Sequence, residues 1–116
     1  MTSKIPKETK QIPQERWQEF CATFTHGNRG RLLSMEILGD DVGDLALAKS
    51  TPFAAIDFDS ISKGNDFVIS YGSEAPTTSH VITTPVELWE AQDINGRVVS
   101  LQIIDLNGHK TILTFE

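Results

Sequence analysis

The chain has 116 residues, 39% of them apolar, with 10 Lys and Arg against 16 Asp and Glu and a formal net charge of −6. That length sets one domain with a single modest core, and the acidic balance argues against a nucleic-acid surface. No run of about twenty apolar residues that would span a membrane occurs in the sequence, and the one cysteine, Cys21, has no second cysteine to pair with.

Residues 1–11 carry Lys4, Lys7 and Lys10 without an apolar stretch, so they read as a flexible, solvated tail rather than a signal peptide. A reducing cytoplasm is the expected compartment. The folded domain is then expected over residues 12–116. Pro13 suits the first position of a helix, and Trp17, Phe20, Cys21 and Phe24 follow at i, i+3, i+4 and i+7, which describes one amphipathic helix. It should stop near Thr25 or His26, with Gly27 as its left-handed end. Beyond it, Leu33, Met35 and Ile37 alternate with Ser34 and Glu36 as a half-buried strand over residues 31–38. The acidic connection Gly39 to Asp44 leads to two further extended segments, 45–49 and, after Pro52, a stretch with Ala54, Ile56 and Phe58 on one face. A turn at Lys63-Gly64-Asn65 precedes the strand of Phe67, Ile69 and Tyr71, and the polar loop Gly72 to Ser79 leads to a strand over residues 80–84.

The last third uses one turn twice, Asp93-Ile94-Asn95-Gly96 and Asp105-Leu106-Asn107-Gly108. If Asn107-Gly108 were a two-residue loop, Leu101 would face Thr114 and both faces would mix polar with apolar side chains. A three-residue loop with Gly108 left-handed instead sets Asp105 against His109, Leu101 against Leu113 and Ile103 against Thr111, and one face becomes apolar. The same count at the first turn sets Trp89 against Leu101 on the core face, at the cost of aiming Glu87 inward; a bulge near Pro85 is expected to absorb the conflict. The whole is expected to be an α+β fold: one N-terminal amphipathic helix packed through Trp17, Phe20 and Phe24 on a curled antiparallel sheet or half-open barrel of six to seven strands.

Chemistry-bearing patterns are sparse. Asp93-Ile94-Asn95-Gly96 lacks the glycine and glutamate spacing of a calcium loop, and Asp40, Asp41 and Asp44 form a short acidic connector that could gather around a hard cation. Asp57 and Asp59 share a strand face, as solvent-facing residues of any strand do. Cys21 lies on the apolar stripe, away from a base, and His26, His80 and His109 have no zinc-ligand spacing. The sequence therefore indicates no catalytic residues, no metal site and no cofactor.

The helix with Glu15, Trp17 and Phe20, the Glu36-Ile37-Leu38-Gly39 strand end, Phe53-Ala54-Ala55-Ile56 leading to Asp59, His80-Val81-Ile82-Thr83-Thr84-Pro85 and the closing Asn107-Gly108 together resemble an uncharacterised bacterial domain family of unknown function. The resemblance spans nearly the whole chain, implies a bacterial single-domain protein and implies no activity. The leading functional expectation is a non-catalytic cytoplasmic binding or self-association module, a homodimer if the outer edge of the final strand needs cover. The alternative is a small-ligand-binding half-barrel whose site is lined by His80 and Tyr71, an apolar ring with a polar tip on each side of the Gly72 to Ser79 loop. An enzyme is the least supported reading.

Overall fold

The computed structural model describes residues 8–59, 64–74 and 77–116. The Lys63 end of the expected turn and the first seven residues of the expected tail lie outside these ranges. In chain order the elements are β1 (Glu8–Gln11), a 3-10 turn (Gln14–Arg16), α1 (Trp17–Asn28), β2 (Leu32–Gly39), β3 (Gly43–Asp59), β4 (Asp66–Tyr71), β5 (Thr78–Thr83), β6 (Pro85–Gln92), β7 (Val98–Asp105) and β8 (Lys110–Phe115). All strand pairings are antiparallel, and the order across the open sheet is β1-β6-β7-β8-β2-β3-β4-β5.

The α+β architecture is as expected, but among the described residues there are eight strands instead of six or seven. The addition is β1, drawn from the stretch read as a tail. Its Lys10 reaches Glu90 at 3.4 Å, a carboxylate that faces the core opposite Leu101 and is only 5% exposed, and the Ile12 N–H donates to the Leu88 carbonyl. A buried carboxylate needs a counter-charge and hydrogen bonds, so Glu90 gives Lys10 a reason to be ordered. Meanwhile the two segments expected at 45–49 and 52–59 are one 17-residue strand, bent where Ser50 takes φ 47° and donates its hydroxyl to Glu116 Oε2. Its first part pairs with β2 and the rest with β4, which lets a single strand belong to both ends of the curl.

The closing hairpin has the expected register: Leu101 opposes Leu113 and Ile103 opposes Thr111, with Gly108 at φ 86° and Gly96 at φ 80°. Asp105 Oδ1 accepts from the N–H groups of Asn107 and His109, and Asp93 Oδ1 from those of Asn95 and Arg97, so each aspartate satisfies the donors of its own turn. The β6–β7 register differs from the expected one. Gln92 pairs with Val98 but Ala91 with Ser100, so β7 carries one extra residue at Val99 and every β6 side chain beyond it changes face. Leu88 is thereby buried, whereas Trp89 faces outward opposite Gln102 with its Nε1 donating to Glu87. A second irregularity does fall between Pro85 and Glu87.

Two faces follow from these registers. On the inner one, Leu33, Met35, Leu101, Leu113 and Phe115 pack with Phe53, Ile56, Phe67 and Ile69 from the β3–β4 side. Helix α1 closes this core: Phe24 meets Phe53 and Phe115 with ring centroids 5.5 and 5.3 Å away, while Trp17 packs on Phe58 and Phe67 rather than over the β7–β8 hairpin. Buried Thr25 accepts from the Ile56 N–H and donates to the Ile56 carbonyl, fastening the helix to β3 where the ladder is irregular. The helix runs past Gly27 to Asn28, because Asn28 Nδ2 satisfies the Phe24 carbonyl, and Gly30 takes the left-handed φ instead. The outer face bears Trp89, Gln102, Ile112 and Glu36 in one cross-strand row and Glu87, Ile104, Lys110, Leu38 and Asp44 in the next.

Because open space surrounds the position a Cβ would take at Gly108, replacement by alanine strains only the backbone. Gly108→Ala is expected to lower unfolding free energy by about 1 kcal/mol or more in urea titrations, with an unchanged m-value.

Candidate functional site

Alternation in Phe67-Val68-Ile69-Ser70-Tyr71 makes β4 a strand with one buried face, and β5 pairs beside it with Ile69 opposite His80 and Tyr71 opposite Thr78. Opposed residues share a face, so Tyr71 and His80 both lie on the core side of this hairpin, diagonal to each other. Tyr71 packs against the core cluster and His80 is half-buried. Burial pushes the His80 imidazole below its ordinary value of 6.5, since water no longer solvates the cation. The two residues are thus brought together as expected, but against the packed interior.

What distinguishes the hairpin is its far side. β5 is the last strand of the sheet, and its outward side chains Ser79, Val81 and Thr83 are exposed, Val81 by 48%. From Thr78 to Thr83 it contains no Lys, Arg, Asp, Glu or Pro. The opposite edge, β1, consists of Glu8, Thr9, Lys10 and Gln11, two of which are charged. Edge strands are ordinarily guarded against further pairing by charge, proline or bulges, and β5 has none of these. By contrast β8, whose edge was expected to need cover, is enclosed between β7 and β2.

A second cluster joins residues 68 positions apart. His109 Nε2 lies 2.6 Å from Asp41 Oδ1 in the β2–β3 connection, and His109 Nδ1 lies 3.4 Å from Asp105 Oδ2 in the β7–β8 turn. The ring also occupies the space a side chain at Gly39 would need, so that glycine lets the two turns close on one another. Hydrogen bonding to Asp41, reinforced by both negative charges, raises the His109 pKa, and the same hydrogen bond lowers that of Asp41. The acidic connector does not converge on one point: Asp41 turns to His109, while Asp44 hydrogen-bonds Glu36 and raises its carboxyl pKa. Among the described residues no group of three His, Cys, Asp or Glu side chains is placed to hold a metal ion. Cys21 is buried, with desolvation and then Asp57 pushing its thiol up to about 12, a poor nucleophile. The sequence reading missed His109 because its partner Asp41 is local only in space; the Gly39 position was the one trace of their contact.

No helix among the described residues is long and apolar enough to cross a membrane. A family of unknown function matches the chain over residues 8–116. No curated protein and no solved structure matches it.

Ring-resolved NMR titration is expected to place His109 above 6.5 and His80 below it, and Asp41→Asn should bring His109 down. Because its folded value is raised, the His109 contribution to stability is complete below the ordinary histidine value and is lost as pH rises through the raised one. The Asp41 contribution runs oppositely, present above the ordinary carboxylate value and lost as pH falls through its lowered one. His109→Ala should flatten the alkaline side of a stability–pH curve.

Proposed function

We propose that this chain, which belongs to the family of unknown function DUF5335, is a non-catalytic self-association module that pairs two copies through β5. The observation that carries the reading is the unguarded edge of β5, six residues without a charge or proline, at one end of a sheet whose other end is charged. Among the described residues nothing pairs with the outer edge of β5; a second copy offers the same N–H and C=O groups, and antiparallel β5–β5′ pairing about a two-fold axis satisfies both at once. Residues opposed in such a ladder share a face, so the axis passes a single residue. Centring it on Val81 covers that exposed side chain with its own copy and sets His80 against the partner's Ile82. A centre on His80 would stack two imidazoles, which is less favourable whenever either is protonated.

His80 and Tyr71 then serve as the inner flank of the interface instead of ligand groups. The bacterial cytoplasm is the setting this reading adopts, from the family resemblance and from a lone, buried Cys21 that suits a reducing compartment. Removal of His80 from water in the dimer favours its neutral form, so association should weaken as pH falls through its titration; Tyr71 is its titratable neighbour on the same face of β4.

Sedimentation equilibrium tests the reading. The native chain is expected to show a monomer–dimer equilibrium at neutral pH, and Val81→Lys to sediment as a monomer with unchanged thermal midpoint, while Val81→Ile keeps the dimer. A native chain that stays monomeric at high concentration, or a Val81→Lys variant that dimerises equally well, refutes it.

A further inference from the structure

The solvent side of the β6-β7-β8-β2 sheet carries a second surface that neither the core nor the β5 edge accounts for. We propose that this face is a docking surface for a basic amphipathic helix of a partner protein. Trp89, Ile104, Ile112 and Leu38 lie on four successive strands and in two adjacent cross-strand rows, so they form one apolar stripe. All four are half-buried, so each keeps part of its apolar surface exposed. With strands about 4.8 Å apart the stripe is about 14 Å long, the span of two to three helical turns. Layering a helix on a sheet is the ordinary way to bury such a face, and the inner side of the same sheet already seats α1.

Charge selects the occupant. Glu87 stands at one end of the stripe, Glu36 and Asp44 at the other, and Lys110 between them. Glu36 and Asp44 are diagonal neighbours on this face, and the Asp44 side chain raises the Glu36 carboxyl pKa by hydrogen bonding and by its negative charge. A lysine or arginine arriving there adds two opposite-charge contacts that offset the like-charge one. A second copy of this face would bring carboxylates onto carboxylates, and an anionic lipid surface or nucleic acid would be repelled. A helix with apolar residues on one side and cations toward its two ends, clear of Lys110 at the middle, matches the stripe and its acidic ends. This site lies on different strands from β5, so it does not compete with pairing there.

The test follows the indole N–H of Trp89, one of two tryptophans, in the 15N-labelled chain, assigned by Trp89→Phe, during titration with a synthetic leucine–lysine amphipathic helix of about eighteen residues. Saturable movement of the Trp89 signal with a steady Trp17 signal is expected. Glu36→Gln with Asp44→Asn should weaken binding by roughly fivefold or more, whereas Glu15→Gln with Glu19→Gln, an equal change of net charge on the 3-10 turn and the first turn of α1, should leave it unchanged. A Trp89 signal that does not move, equal binding of a leucine–glutamate helix, or equal weakening by both pairs of substitutions overturns the proposal.

Discussion

The left-handed turn at Gly108 is the constraint on which the sheet depends. Strand side chains alternate, so a slip of one residue across that turn would exchange the faces of β7 and β8. With Gly108 at φ 86° the row Leu101–Leu113–Met35 crosses β7, β8 and β2 on one side, and the neighbouring row Gln102–Ile112–Glu36 crosses them on the other. The interior packing of Phe24 on Phe115 and the exterior stripe through Ile104 and Ile112 are therefore two results of one register. Asp105 holds that register twice over, by accepting the turn's own N–H groups and by meeting the His109 ring that reaches Asp41.

Curvature has a different origin. Ser50 and Thr84 are non-glycine residues at φ 47° and 49°, a conformation disfavoured for L-residues and most of all for a β-branched one. Both stand where the chain passes from one part of the sheet to another. Thr84 lies between β5 and β6 and is held by a hydrogen bond from its N–H to the Asn65 carbonyl and another from the Leu106 N–H to its own carbonyl. Neighbouring strands thus hold both corners in place. The bend at Thr84 also explains why β5 is left at an edge: the chain departs for β6, across the sheet from β4, without providing a further strand to cover β5.

Among the described residues the acidic and nucleophilic side chains are dispersed over the fold. Its most acidic constellation is split between a histidine clip and a carboxyl pair, and its cysteine is sealed in the core. The β5 edge and the outer face of β6-β7-β8-β2 are the places on which the proposed self-association and docking rest.

Local chemistry made much of this legible in the sequence. The Asp-x-Asn-Gly turns, the helical stripe of Trp17, Cys21 and Phe24 and the alternation of β2 and β4 each lie within one element, where spacing alone decides which side chains share a face. The sequence by itself therefore determined the α+β class, the antiparallel sheet and the register of the last hairpin. It could not locate Trp89, because an extra residue at Val99 changes the count in a strand that looks regular, nor foresee β1, whose order depends on Glu90 being buried far along the chain. Nor could it join His109 to Asp41 or leave β5 at the edge, since both depend on which strands lie side by side. Pairing between distant strands is a property of the closed chain, and only the tertiary structure decided which surfaces it covered and which it left open.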